Sequence, residues 1–161
     1  MIRFLLMACL LLLSACASQP PLPPQTPHIK LPQQLHIQRE QAGQRQDWLL
    51  VVQKEHHDVR WSLMDPLGIP LARQKLAHQT WKADGLLPPN PEARELFAAL
   101  LFALTTEQQV PFDYPGVQLR PNGRSLEDRW TVDYASEGFF RITLKNGLKY
   151  TVSPLEGKAT K

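Results

Sequence analysis

Few side chains in this 161-residue sequence have the type and spacing for covalent or metal chemistry. Both cysteines, Cys9 and Cys16, lie near the N-terminus, so the body offers no disulfide, no cysteine metal site and no thiol nucleophile. His56-His57-Asp58 invites a metal hypothesis. Adjacent strand residues face opposite ways, however, and no carboxylate-histidine motif surrounds the pair, so solvated turn residues are expected there. Ser125, Ser136 and Ser153 stand outside any glycine-serine-glycine nucleophile elbow, Asp65 has no evident carboxylate partner, and no glycine loop is built for phosphate. The expectation is a chain that is not an enzyme, with no catalytic residue, metal or cofactor. What remains is the chemistry of Cys16 and the burial of apolar side chains.

Residues 1 to 16 read MIRFLLMACLLLLSAC: one positive charge, an apolar run from Phe4 to Leu13, then Leu13-Ser14-Ala15-Cys16. The run falls well short of the roughly 20 residues that span a bilayer and suits a signal-peptide core. The Leu-Ser-Ala-Cys ending resembles the lipobox of bacterial lipoproteins, which implies diacylglycerol on Cys16 and removal of residues 1–15. Several acyl chains at about 0.8 kcal/mol per buried CH₂ anchor a protein without a spanning helix. In that class an aspartate after the lipidated cysteine commonly retains the protein in the inner membrane; Ala17 stands there instead, which implies the bacterial outer membrane, facing the periplasm.

Removing the leader leaves 17 basic against 15 acidic side chains, because Arg3 is its single charged residue. That near balance lacks the concentrated basic surface that nucleic acid requires. From Ala17 to Pro32 there are six prolines and no apolar periodicity. Such a stretch favours polyproline geometry at about 3.1 Å per residue, on the order of 50 Å if fully extended. The expected organisation is a signal peptide over 1–15, the lipidated cysteine and Pro-rich tether over 16–34, one periplasmic domain over 35–155 and a tail over 156–161.

The elements that must position any site are mostly strands. Trp48 to Val52 is apolar on both faces, as in a sheet covered on each side. Val59, Trp61 and Leu63 alternate with Arg60, Ser62 and Met64. Asp65-Pro66-Leu67-Gly68 turns the chain, and Ile69 to Leu76 resumes as an edge strand in which Pro70 excludes a central position. A helix opens at Asn90 as cap and Pro91 as first residue, with Glu92 and Glu95 at the positive end of the dipole. Leu96, Phe97, Leu100, Leu101 and Leu104 share one face, and Ala98, Ala99, Phe102 and Ala103 make the reverse apolar too, so the helix is enclosed or covers a cavity. Trp130, Val132 and Tyr134 alternate with polar residues. Phe140, Ile142 and Leu144 do the same before Asn146-Gly147, read as a type I′ hairpin turn. The fold expected is mainly β: a strongly curved antiparallel sheet, a half-open barrel, covered by an apolar helix.

The lipobox, Trp61 and Leu63 before Asp65-Pro66-Leu67-Gly68, the helix from about Pro91 to Thr105 and the closing strands after Trp130 resemble the LolA/LolB family of bacterial lipoprotein carriers, in particular its outer-membrane branch. That family has asparagine where Asp65 stands. The resemblance implies a membrane-transfer loop at Pro66, Leu67 and Gly68, with Leu67 protruding. It also implies an acyl-binding cavity; the candidate walls are Trp61, Leu63, Trp130, Val132, Phe140 and Ile142 from the sheet and Leu96, Phe97, Leu100 and Leu101 from the helix. The implied function is transfer of acyl cargo, an acylated lipoprotein or a specialised lipid, received from a periplasmic carrier and released to outer-membrane lipid. Arg60, Arg73, Lys75 and Arg141 are candidate contacts for anionic head groups. The alternative reading is an anchored scaffold or assembly lipoprotein that binds an envelope protein.

Overall fold

The computed structural model describes residues 19–25 and 28–155. The leader, Cys16 and the tail after 155 lie outside the described residues. Ten strands form a single antiparallel sheet: β1 (Gln33–Gln41), β2 (Gln44–Glu55), β3 (Asp58–Met64), β4 (Pro70–Ala77), β5 (Thr80–Ala83), β6 (Val117–Arg120), β7 (Gly123–Leu126), β8 (Trp130–Ser136), β9 (Phe139–Leu144) and β10 (Lys149–Pro154). Helix α1 (Pro91–Leu104) and the short α2 (Val110–Asp113) interrupt the series between β5 and β6. The strand order is β5-β4-β3-β2-β1-β10-β9-β8-β7-β6. Local hairpins therefore build each half, and the β1 to β10 ladder, with Ile37 opposite Val152, joins chain start to chain end.

This order corrects the expected half-barrel. β5 and β6 are the two edges and do not pair, so the sheet is open and is not curled up as the LolA/LolB fold requires. Alternation along a strand reports which side is buried; it carries no information about closure, which depends on shear and tilt across all strands.

One face of the sheet carries the core. Leu35 and Ile37 of β1, Leu50 and Val52 of β2, Trp61 and Leu63 of β3, and Val132, Phe140, Ile142, Tyr150 and Val152 from the other half form one cluster with α1. Trp48 to Val52 was expected to be covered on both sides; Leu50 and Val52 are buried while Leu49 and Val51 are only half-buried, because the helix lies on a single face. The helix is capped as its sequence demands, the Ala93 amide donating to Asn90 Oδ1 at 3.0 Å, and nine of its residues are buried. Its apolar character on all sides is explained by aromatic neighbours in both halves of the sheet, Phe97 with Trp61 at 5.4 Å and Phe102 with Trp130 at 5.6 Å.

Two local expectations change. β4 is not an edge strand, since β5 pairs outside it from Gln74 to Ala77. Pro70 is accommodated at the strand start, beside a register shift at Leu63/Met64. The Asn146-Gly147 turn is not type I′, which needs positive φ at both residues; only Gly147 is positive, at +82°. Gly147 N donates to Leu144 O at 2.9 Å and Asn146 Oδ1 accepts from Leu148 N at 3.1 Å, so the side chain closes the loop.

Candidate functional site

β2 outruns β3: Leu49 pairs with Met64 at the end of β3, and residues 44–48 extend beyond it, paired only with β1, which itself stays paired with β10 as far as Glu40. On the core side of this overhang the chemistry changes. Along β1 the sequence of inward positions runs Leu35, Ile37, Arg39, Gln41, and along β2 Val52, Leu50, Trp48, Gln46, Gln44, so an apolar stripe becomes polar where it passes the start of α1. There Arg39, Gln41, Ala42, Gln44, Gln46, Trp48, Leu63, Leu71, Asn90, Glu92 and Ala93 line an open cleft of about 640 Å³.

A charge-cancelled cluster organises one wall. Arg39 Nε donates to Glu92 Oε1 at 2.5 Å and Nη2 to Oε2 at 3.1 Å, a bidentate pair. Arg39 Nη2 also donates to Gln41 Oε1 at 2.6 Å, and the Tyr150 hydroxyl donates to Glu92 Oε1 at 3.0 Å. The hydrogen bond to Glu92 raises the Arg39 pKa further. Burial, with the Glu92 carboxylate beside it, pushes the Tyr150 phenol well above the ordinary range and keeps it a donor. The Arg39 guanidinium lies 5.8 Å from the Trp48 ring centroid. On the opposite side Asn90 Nδ2 donates to Leu71 O at 3.4 Å, and buried Gln74 donates to Asn90 O at 3.4 Å, fixing the helix start against β4. Amide groups on Gln41, Gln44, Gln46 and Asn90 thus line the cleft with a flat indole and an apolar floor of Leu63 and Leu71, without net charge; the Asn90 amide is already bonded at both ends, to Ala93 N and Leu71 O, and Gln41 Oε1 is bonded to Arg39.

Sequence reasoning missed this cleft except for Leu63. Asn90 and Glu92 were read as helix-end residues only. The available signal was the polar turn of the two-residue alternation, Ile37-Arg39-Gln41 against Leu50-Trp48-Gln46; their meeting with Glu92 and Tyr150 is a long-range fact.

The ten residues expected to wall an acyl cavity are brought together, each at most 4% exposed, in the same buried cluster. Leu67 is the reverse, 85% exposed. Its loop is held by Asp65, whose Oδ1 accepts from Leu67 N and Ile69 N, both at 2.9 Å, while Gly68 takes φ of +82°. Three of the proposed head-group cations are paired on the outer face: Arg60 with Glu55 (2.6 Å) and Asp84 (2.8 Å), Arg73 with Asp84 (3.0 Å), and Lys75 with Glu55 (2.8 Å) and Asp84 (3.4 Å). The Lys75 hydrogen bond holds Glu55 below its usual carboxylate range. Burial pulls Asp84 upward, but Arg60, Lys75 and Arg73 outweigh it and hold that carboxyl low as well. Arg141 Nε reaches Thr151 Oγ1 at 3.5 Å. His56-His57 forms the β2–β3 turn, and among the described residues no group of three metal-ligating side chains assembles. No helix among them is long and apolar enough to cross a membrane.

Residues 30–152 match the family described as "Protein of unknown function (DUF3261)", and the chain belongs to that family. No curated protein matches the chain. The LolA/LolB resemblance is thereby corrected, since no homology to those carriers accompanies the open sheet. With it falls the transfer of acyl cargo, together with its lipid-binding, transport and chaperone roles and its partners: acylated lipoprotein, specialised lipid, periplasmic carrier and receiving outer-membrane lipid. The scaffold alternative finds no support either.

Proposed function

We propose that this DUF3261 chain is a non-catalytic binding domain, lipid-anchored through Cys16 at the periplasmic face of the outer membrane, that takes a neutral saccharide in the Trp48 cleft. The observation that carries the reading is the composition of the cleft: an indole beside four side-chain amides, with its one cation and one anion bonded to each other. A sugar presents hydroxyls that donate and accept in turn and a C–H face that suits an aromatic ring. An anionic ligand would compete with Glu92 for Arg39, and an acyl chain would set hydrocarbon against the Gln44 and Gln46 amides, at about 1–3 kcal/mol for each one buried without a partner. The cleft lies within the range of volumes common for small-ligand sites.

The test is titration calorimetry of the mature, detergent-solubilised chain against neutral chito-, malto- and cello-oligosaccharides. Saturable binding of one series is expected, lost by at least tenfold in both Trp48→Ala and Gln46→Ala. No heat with any of them, or binding unaffected by both substitutions, removes the saccharide reading.

A further inference from the structure

The Pro-rich segment behind the anchor does not stand off from the body. Pro23 is buried and Leu22 packs against the core cluster. The Gln79 side-chain amide donates to the Pro24 carbonyl. Leu22 and Pro23 line a hollow of about 300 Å³ with His57, Val59, Leu76 and His78, at the β2–β3 and β4–β5 turns. Leu22 and Pro21 also line a second hollow, about 270 Å³, with Tyr114, Pro115, Leu126 and Glu127 beside the β7–β8 turn. Leu22 therefore lines a hollow against each half of an open sheet whose edges do not pair.

This contact lies at the end of the domain opposite the cleft. His57 precedes β3 and His78 follows β4, whereas Leu63 and Leu71, which floor the cleft, lie toward their other ends. Strand β2 connects the two ends, from Arg45 near the cleft to Lys54 near the turn, about 30 Å at roughly 3.3 Å per residue. Between Cys16 and Pro20 the backbone can span at most about 14 Å.

We propose that residues 20–24 act as a strap that holds the His57/His78 end of the domain against the lipid surface and turns the Trp48 cleft toward the periplasm. The strap replaces a tether on the order of 50 Å with a short, directed link. The proposal rests on the lipid anchor at Cys16 and is independent of the ligand.

The mature chain holds no cysteine besides Cys16, so single labels can be placed on lipidated protein through Lys54→Cys or Arg45→Cys, both exposed positions of one strand. In phosphatidylethanolamine/phosphatidylglycerol liposomes carrying a head-group acceptor, energy transfer from the Lys54→Cys label is expected to exceed that from Arg45→Cys several-fold. A long Gly-Ser insertion after Ser18, or the pair Leu22→Asp with Gln79→Ala, is expected to bring the two labels to equal transfer. Equal transfer in the parent chain, or a difference that persists in both variants, overturns the orientation. A Leu22→Cys thiol, at the position packed against the core, is expected to react with maleimide at least tenfold more slowly than a Gln25→Cys thiol at the exposed end of the segment, which reads strap docking alone; equal rates overturn the strap. Failure of the lipidated chain to float with liposomes overturns the anchor on which the orientation depends, leaving the strap to the thiol reactivity.

Discussion

Replacing Glu92 by glutamine tests the cluster that makes the cleft electrically neutral. The carboxylate accepts three hydrogen bonds, two from Arg39 and one from Tyr150; the amide keeps one oxygen and turns two N–H donors toward groups that are themselves donors. Arg39, with 13% of its side chain exposed, would lose its counter-charge. Breaking a fully buried pair costs about 3–5 kcal/mol, and an exposed one at most about 1. Glu92 is 39% exposed, so water replaces part of what is lost, and the expected destabilisation is about 2 kcal/mol. For a domain of this size that is a fall in Tm of roughly 8 °C. Thermal and urea unfolding of Glu92→Gln, Arg39→Met and the double variant supplies the cycle; a coupling energy of about 1–2 kcal/mol is expected, because the second substitution removes a charge already orphaned. Glu92→Gln also leaves a net positive charge in the cleft, so preference should move from neutral toward uronate-containing oligosaccharides. A loss under about 0.5 kcal/mol, or additive effects, would refute the claim that this pair holds the wall together.

All three tyrosines, Tyr114, Tyr134 and Tyr150, have phenols raised by burial above 10.0, Tyr134 to about 12. Above pH 10 the unfolded chain therefore sheds phenolic protons that the folded chain keeps, so stability should be full below pH 10 and fall as pH rises, by up to about 1.4 kcal/mol per unit for each tyrosine; tyrosinate absorbance should rise together with unfolding, not before it. Leu100→Ala, at a position 0% exposed between helix and sheet, should cost about 2–5 kcal/mol, whereas Leu67→Glu, at a side chain 85% exposed, should change stability by no more than about 0.5 kcal/mol; urea midpoints at constant m-value compare the two.

Much of the local structure was legible from short-range chemistry. Asn90-Pro91 announces a helix start because one side-chain oxygen and one missing N–H solve the problem of unpaired amides within a single turn. Phe140, Ile142 and Leu144 announce an inward face because a strand's period is two, and all three are buried while Phe139 is 44% exposed. Asp65-Pro66-Leu67-Gly68 closes its own loop through one carboxylate. Each of these is settled by residues within a few positions of one another.

Closure of the sheet, the meaning of the apolar helix and the cleft were settled elsewhere. Alternation is the same in an open sheet and a barrel, so the separate edges β5 and β6 were invisible in it. A helix apolar on every side can roof a cavity or fill a core, and only the summed volumes of Trp61, Phe97, Phe102, Trp130 and their neighbours decide between them. Arg39 and Trp48 of the β1–β2 hairpin, Glu92 at the start of the helix and Tyr150 of the last strand come from three separate stretches of chain, and the hairpin meets Tyr150 because β1 pairs with both the second strand and the last. Patterning within a segment determines which side of it is greasy; which segments then face one another is a property of the whole packed chain, where register and volume must be satisfied together.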